Sequence, residues 1–169
     1  MAKPKVAVLM GSDSDLDTMQ LAIDQLADFG IPADVHVMSA HRCPDVVADY
    51  AAQAEANGIG VIIAGAGKAA HLAGVIAAKT TLPVIGVPIE TKLAGGLDSL
   101  LSMVQMPRGI PVATMGTGKS GALNAAILAA QILARSDPAL RHKLAAHKQQ
   151  MADAVAARSA SLRGRLGLS

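Results

Sequence analysis

Short apolar runs alternate with helix-period segments five times along this chain, and that rhythm leaves few folds open. Val6 to Met10 is an apolar run that stops at Gly11. The polar turn Ser12-Asp13-Ser14-Asp15 follows, and then a helix with apolar Leu16, Met19, Ile23, Leu26 and Phe29 on one face. Asp13 or Ser14 is placed to cap that helix, and Gly30-Ile31-Pro32 to end it. A second strand is read from about Ala33 to Met38, and a second helix opens at Pro44 and closes at Gly58. The third strand, Val61 to Ala64, enters Gly65-Ala66-Gly67, and a helix runs through His71 to about Lys79. Val84 to Val87 and Pro111 to Met115 are the fourth and fifth strands. Helices are read near Asp98 to Gln105 and from Ser120 to Ala134, and Asp137-Pro138 opens a long last one that frays near Gly164.

Continuous apolar strands separated by helices imply a parallel sheet covered on both faces. With right-handed crossovers, the simplest solution is an α/β fold: a three-layer αβα sandwich around a five-stranded, flavodoxin-like sheet of order 2-1-3-4-5. Its 169 residues suffice for one domain, 1–169, with the helix at 137–163 expected to pack on a neighbouring subunit.

Composition narrows the class. A 51% hydrophobic content excludes disorder, and the lone Cys43 excludes a disulfide scaffold. Lys79, Asn124 and Gln131 break the richest apolar runs, and the opening MAKPKVAVLMGS is too short for a signal peptide, so a cytoplasmic protein without membrane contact is expected. Mean hydropathy is high, +0.39, yet the chain has one Phe, one Tyr and no Trp. A surplus carried by small aliphatic side chains suits helices that pack against other copies, so a homo-oligomer is expected. Residues 1–134 hold eight Lys and Arg against eleven Asp and Glu, and residues 135–169 hold seven against two. That basic end reads as a solvated helix face, not a nucleic-acid arm, since 1% aromatic residues leave little to stack bases on.

In this architecture ligands bind at the carboxyl ends of the strands, where strands 1 and 3 diverge. The loops that meet there carry Ser12-Asp13-Ser14-Asp15, Ser39-Ala40-His41-Arg42 and Gly65-Ala66-Gly67-Lys68-Ala69-Ala70-His71. Hydroxyls and free amides at a helix start suit a phosphate, an adjacent Arg42 suits it further, and Asp15 suits a ribose diol. The other use of Ser and Asp there is plain capping. His41, in a loop, is the first choice for a general acid or base; His71 either donates to a substrate or satisfies backbone carbonyls. Cys43 reads as a packing residue.

Two segments imitate nucleotide sites. Gly65-Ala66-Gly67-Lys68-Ala69-Ala70 fits G-x-G-x-x-A but follows the third strand, with no suitably placed ribose-binding acid after it. Ala113 to Ser120 approximates a Walker A loop with Lys119, yet no later strand can bring an Asp for Mg²⁺. A phospho-accepting receiver would need an Asp where Ala64-Gly65 stands, and a flavin carrier would need aromatics these loops lack. His36, His41 and His71 form no metal pattern, so no metal is expected.

Together, Gly11 to Asp15, Ser39 to Asp45, Ala64 to Leu72 and Asp98 to Pro107 resemble the N5-carboxyaminoimidazole ribonucleotide mutases of purine biosynthesis, in order and spacing, from about Lys5 to Leu144. The resemblance implies an isomerase that needs no cofactor and moves a carboxylate from the exocyclic nitrogen of an imidazole ribonucleotide to ring carbon 4. It implies His41 as the catalytic histidine, with His71 a second catalytic candidate lining the carboxylate and CO₂ pocket, and Ser12, Ser39 and Arg42 on the 5′-phosphate. Asp15 falls to the ribose, and Gly65, Ala66, Gly67, Lys68 and Leu72 to the carboxylate and CO₂ pocket. It implies octamers whose sites draw on neighbouring subunits. Lys68 stands where many members have Gly, Ala73 where they have Pro, and Cys43 where Thr is commoner. Two other readings stay open: a direct aminoimidazole ribonucleotide carboxylase that uses CO₂, and a nucleotide-binding protein built on Lys119. Arg42 favours the mutase over the carboxylases, which usually carry Lys there.

Overall fold

Strand β1 (Lys5–Met10) runs through the sheet with β2 (Ala33–Val37) on one side and β3 (Ile59–Ala66) on the other. Beyond β3 lie β4 (Val84–Pro88) and β5 (Ala113–Thr114), so the order is β2-β1-β3-β4-β5 and every pair is parallel. This computed structural model describes residues 4–168. Residues 1–3, the head of the stretch read as too short for a signal peptide, lie outside the described residues.

Successive strand residues face opposite sides, which splits the core in two. Val6, Val8 and Met10 pack with Met19 and Leu26 of α1 (Leu16–Phe29) and with the alanines of α5 (Lys119–Leu133). Ala7 and Leu9 pack on the other side against α2 (Pro44–Gln53), α3 (Leu72–Ala77) and α4 (Leu97–Val104) through Val47, Ile76 and Met103. Each large aliphatic side chain so buried contributes about 1.5–3 kcal/mol before entropy is counted. Small residues set the spacing. Met19 fills the space above Gly65, where an added Cβ would stand 2.5 Å from its Sδ, and Gly121 lets α5 close onto the Gly116 carbonyl.

Several boundaries differ from the sequence reading. Strand β2 is an edge, and of its five residues only Asp34 is even half-buried; Val35 and Val37 remain 41% and 56% exposed. Its sequence alternates polar and apolar, so the expected cover on both faces is missing there. In β5 only Ala113 and Thr114 join the ladder, because Pro111 has no N–H to give. The expected cap at Asp13 or Ser14 is replaced by a 3-10 turn at Asp13–Asp15 capped by Ser12, whose hydroxyl accepts from Ser14 N, and α1 begins at Leu16 with no side-chain cap of its own. Helix α2 stops at Gln53 and reaches Gly58 (φ 81°) through turns. His71 stands just ahead of α3, which is shorter than expected.

Helix α6 (Pro138–Arg165) passes Gly164, the expected fraying point, and the chain turns at Gly167 (φ 66°). Its 28 residues span about 42 Å, and its start is anchored on the rest of the domain. Leu140 is buried, Lys143 donates to Phe29 O at 2.7 Å, and the His147 ring meets Phe29 edge-on. Beyond, Met151, Val155 and Leu162 are exposed. Among the described residues no helix is long and apolar enough to cross a membrane.

Candidate active site

Parallel register brings the strand ends level: Met10 is opposite Val37 and Gly65, and Gly65 is opposite Val87. The loops that leave these ends therefore converge, and between them lies a cavity of about 790 Å³. Three ties hold the loops together. Gly11 N donates to Gly65 O at 3.1 Å, Arg42 Nη2 donates to Gly11 O at 3.2 Å, and His41 Nε2 lies 2.8 Å from His71 Nδ1. The two imidazoles stand nearly perpendicular, 79° apart, with centroids 4.9 Å from each other.

The first loop is a capping box. Ser12 N donates to Asp15 Oδ2 at 3.1 Å, and the Ser12 hydroxyl caps the turn. Burial pushes the Asp15 carboxyl above its ordinary value, although the bonds from Ser12 N and the Ser14 hydroxyl partly offset this. Asp15 thus presents one oxygen already engaged by backbone, and its remaining acceptor capacity faces the cavity it helps line. In the second loop the Ser39 hydroxyl accepts from Arg42 N at 3.2 Å, and Cys43 closes the turn from below, its thiol 3.2 Å from both Ser39 N and Ser39 O. Cys43 is half-buried and absent from the cavity lining, as a packing residue should be.

The third loop is held from α4. Lys68 N donates to Ser99 Oγ at 2.9 Å, and Ser102 Oγ reaches Lys68 O at 3.1 Å. Lys68 adopts φ 59°, a left-handed conformation unusual for a side chain with a Cβ. Lys68 is exposed and lines the cavity together with Ala66, Gly67, His71 and Leu72.

Ser12, Asp15, Ser39, His41, Arg42, Ala66, Gly67, Lys68, His71 and Leu72 all line this one cavity. Gly65 does not: it lies behind the wall, its carbonyl tied to Gly11 and its α-carbon covered by Met19. The loop after β4 also contributes Ile89, Glu90 and Thr91, which the sequence reading left out. The signal for them was the same strand-end rule, applied to β4 as well as to β1, β2 and β3. Glu90 packs onto Gly118, where an added Cβ would stand 2.5 Å from its Oε1, so a carboxylate fills the Walker-like turn ahead of Lys119. Among the described residues no cluster of three or more His, Cys, Asp and Glu could hold a metal.

A family model described as AIR carboxylase matches residues 5–154. The N5-carboxyaminoimidazole ribonucleotide mutase of Bacillus subtilis (strain 168) is 57% identical over 142 residues, covering 84% of this chain and 88% of its own. The mutase of the same name from Escherichia coli (strain K12) is 54% identical over 151 residues, 89% of each chain. Among solved structures, Treponema denticola PurE aligns with a TM-score of 0.86 at 27% identity, over 95% of this chain and 99% of that one.

Proposed function

The chain belongs to the AIR carboxylase family, and we propose on that premise that it is an isomerase of purine biosynthesis. It converts N5-carboxyaminoimidazole ribonucleotide to the 4-carboxylate. The observation that carries this reading is the 2.8 Å contact of His41 with His71, on the wall of a cavity that also holds Ser12 and Arg42.

The 5′-phosphate is held by Arg42 and by the hydroxyls of Ser12 and Ser39, and Asp15 takes the ribose hydroxyls. This leaves the imidazole base at the histidine pair and the turn from Gly67 to Leu72. The N–carboxylate bond then breaks, its electron pair returns to the exocyclic nitrogen, and His41 delivers a proton there. The released CO₂ carries no charge to grip and is confined by Ala66, Gly67 and Leu72, whose small or apolar surfaces exclude water. Ring carbon 4, electron-rich as an enamine carbon, attacks CO₂ and forms the new C–C bond. His41, now unprotonated, removes the hydrogen from that carbon. One proton is given and one is taken, so the enzyme returns to its starting state. His71, at hydrogen-bond distance from His41, orients its ring, and Lys68 balances the charge of the carboxylate.

Product formation from the N-carboxylated substrate without added bicarbonate tests this assignment. Full turnover is expected. A requirement for bicarbonate would favour the carboxylase that uses CO₂ directly. The Lys119 reading is weakened by Glu90, which sets a negative charge where a nucleotide phosphate would have to lie.

The cytoplasmic location and the homo-octamer implied by the family resemblance belong to the same proposal. Exposed Met151, Val155 and Leu162 on α6 support packing of this helix on a neighbouring copy.

A further inference from the structure

We propose that Ser99 is a positioning residue for the histidine pair, acting through the left-handed turn at Lys68; the idea rests on the reaction proposed above. Ser99 is fully buried, at 0% exposure, yet its hydroxyl accepts a hydrogen bond from a single loop amide, Lys68 N. One helical turn further on, Ser102 Oγ lies 2.6 Å from Asp98 O and 3.1 Å from Lys68 O. Helix α4 therefore grips residue 68 by both its N–H and its C=O.

The grip matters because of the conformation it holds. At φ 59° a lysine pays a steric penalty that glycine escapes, so without outside bonds the peptide at 68 would relax toward negative φ. The turn transmits its geometry directly. Ala70 N donates to Lys68 O at 2.9 Å and His71 N donates to Ala69 O at 2.8 Å, and the next residue opens α3. A rotation at 68 thus swings the His71 backbone, and with it the Nδ1 that meets His41. Neither serine hydroxyl is among the groups lining the cavity, so any effect of Ser99 on turnover must pass through the turn.

The experiment compares the full chain with Ser99→Ala, Ser102→Ala, Lys68→Gly and Lys68→Gly/Ser99→Ala. Nitrogen-15 NMR of the ligand-free protein reads the scalar coupling between His41 Nε2 and His71 Nδ1 across the hydrogen bond they share. In the parent chain the two nitrogens are coupled, since they stand 2.8 Å apart. In Ser99→Ala that coupling is lost. Steady-state kinetics show kcat lowered about 10- to 100-fold with KM within about threefold, as expected of a misplaced group that leaves substrate binding intact. In the Lys68→Gly background the loss from Ser99→Ala shrinks to about threefold or less, because glycine enters the left-handed region unaided.

A histidine pair that stays coupled in Ser99→Ala, or an equal kcat loss in both backgrounds, overturns the positioning role. Should Ser99→Ala not fold, Ser102→Ala at a half-buried position provides the same readings, and an unchanged coupling and kcat there overturn it equally. The NMR measurement needs no substrate. Absent carboxylate transfer in the parent chain would count against the proposed reaction, whereas intact coupling in the variant would count against Ser99 alone.

Discussion

His41 Nε2 and His71 Nδ1 lie 2.8 Å apart although their residues are 30 positions apart in the chain. At that distance one ring supplies an N–H and the other a lone pair, so the two share a single hydrogen. Because both residues are exposed, changing either should spare the fold. His41→Asn is expected to lower kcat by about 10²- to 10⁴-fold with an unchanged circular dichroism spectrum. Activity kept within about twofold would remove His41 from the mechanism.

Arg42 spans two loops through its bond to Gly11 O and borders the cavity. Arg42→Ala should raise KM about tenfold or more, the worth of a lost charge-assisted hydrogen bond. With a nucleoside substrate that lacks the phosphate, parent and variant should be equally poor. A similar Arg42 effect on both substrates would mean that the guanidinium does not hold the phosphate.

Asp34 on β2 accepts the Tyr50 hydroxyl at 2.8 Å and stands 3.0 Å from His36 Nε2. Burial pushes the Asp34 carboxyl up, but the Tyr50 bond and then His36 pull it further down, so it rests below its ordinary value. Burial, followed by the Asp34 bond and charge, moves the Tyr50 hydroxyl well above the ordinary tyrosine value. A depressed carboxylate stabilises the fold above its unfolded value and loses that contribution as pH falls through the folded one. Tyr50→Phe should therefore cost about 1 kcal/mol at neutral pH and flatten the acid limb of stability. Urea melts at neutral pH and at about pH 3 measure both, and an undiminished acid limb would argue against the bond.

Gly121 approaches the Gly116 carbonyl so closely that a Cβ would run into it. Gly121→Ala should gain in helix propensity but lose about 2 kcal/mol or more net, since backbone must move to admit the methyl. Gly164, with nothing within contact distance, is the control: Gly164→Ala should stabilise α6. Equal denaturation midpoints for both variants would refute the packing argument.

If α6 packs on a neighbouring copy, Val155→Asp/Leu162→Asp should lower the mass seen by light scattering without unfolding the domain. An unchanged mass would direct the search for the interface to the exposed face of β2, where Val35 and Val37 lie bare.

Much of the cavity lining was legible in the sequence, because loops at the ends of parallel strands must converge and these loops carry the hydroxyls, carboxylate, guanidinium and imidazoles that line it. What escaped is equally explicable. Gly65 was read as pocket wall, but register aims its carbonyl at Gly11 and puts Met19 over it. Glu90 and Thr91 entered the cavity on a loop that showed no motif. The exposure of β2 follows from its edge place in the expected order and from its alternating polar and apolar residues, which a continuous apolar run would not have.

By itself, the order of apolar runs and turns determined the layers, the strand order and which loops meet at the strand ends, since periodicity and crossover handedness are properties of a chain read in sequence. Only the tertiary structure decided which nitrogen meets which, that Ser99 holds Lys68, and that Cys43 turns away from the cavity. Those relations span some thirty residues or depend on side-chain direction, and they exist only once packing has set register and rotamer.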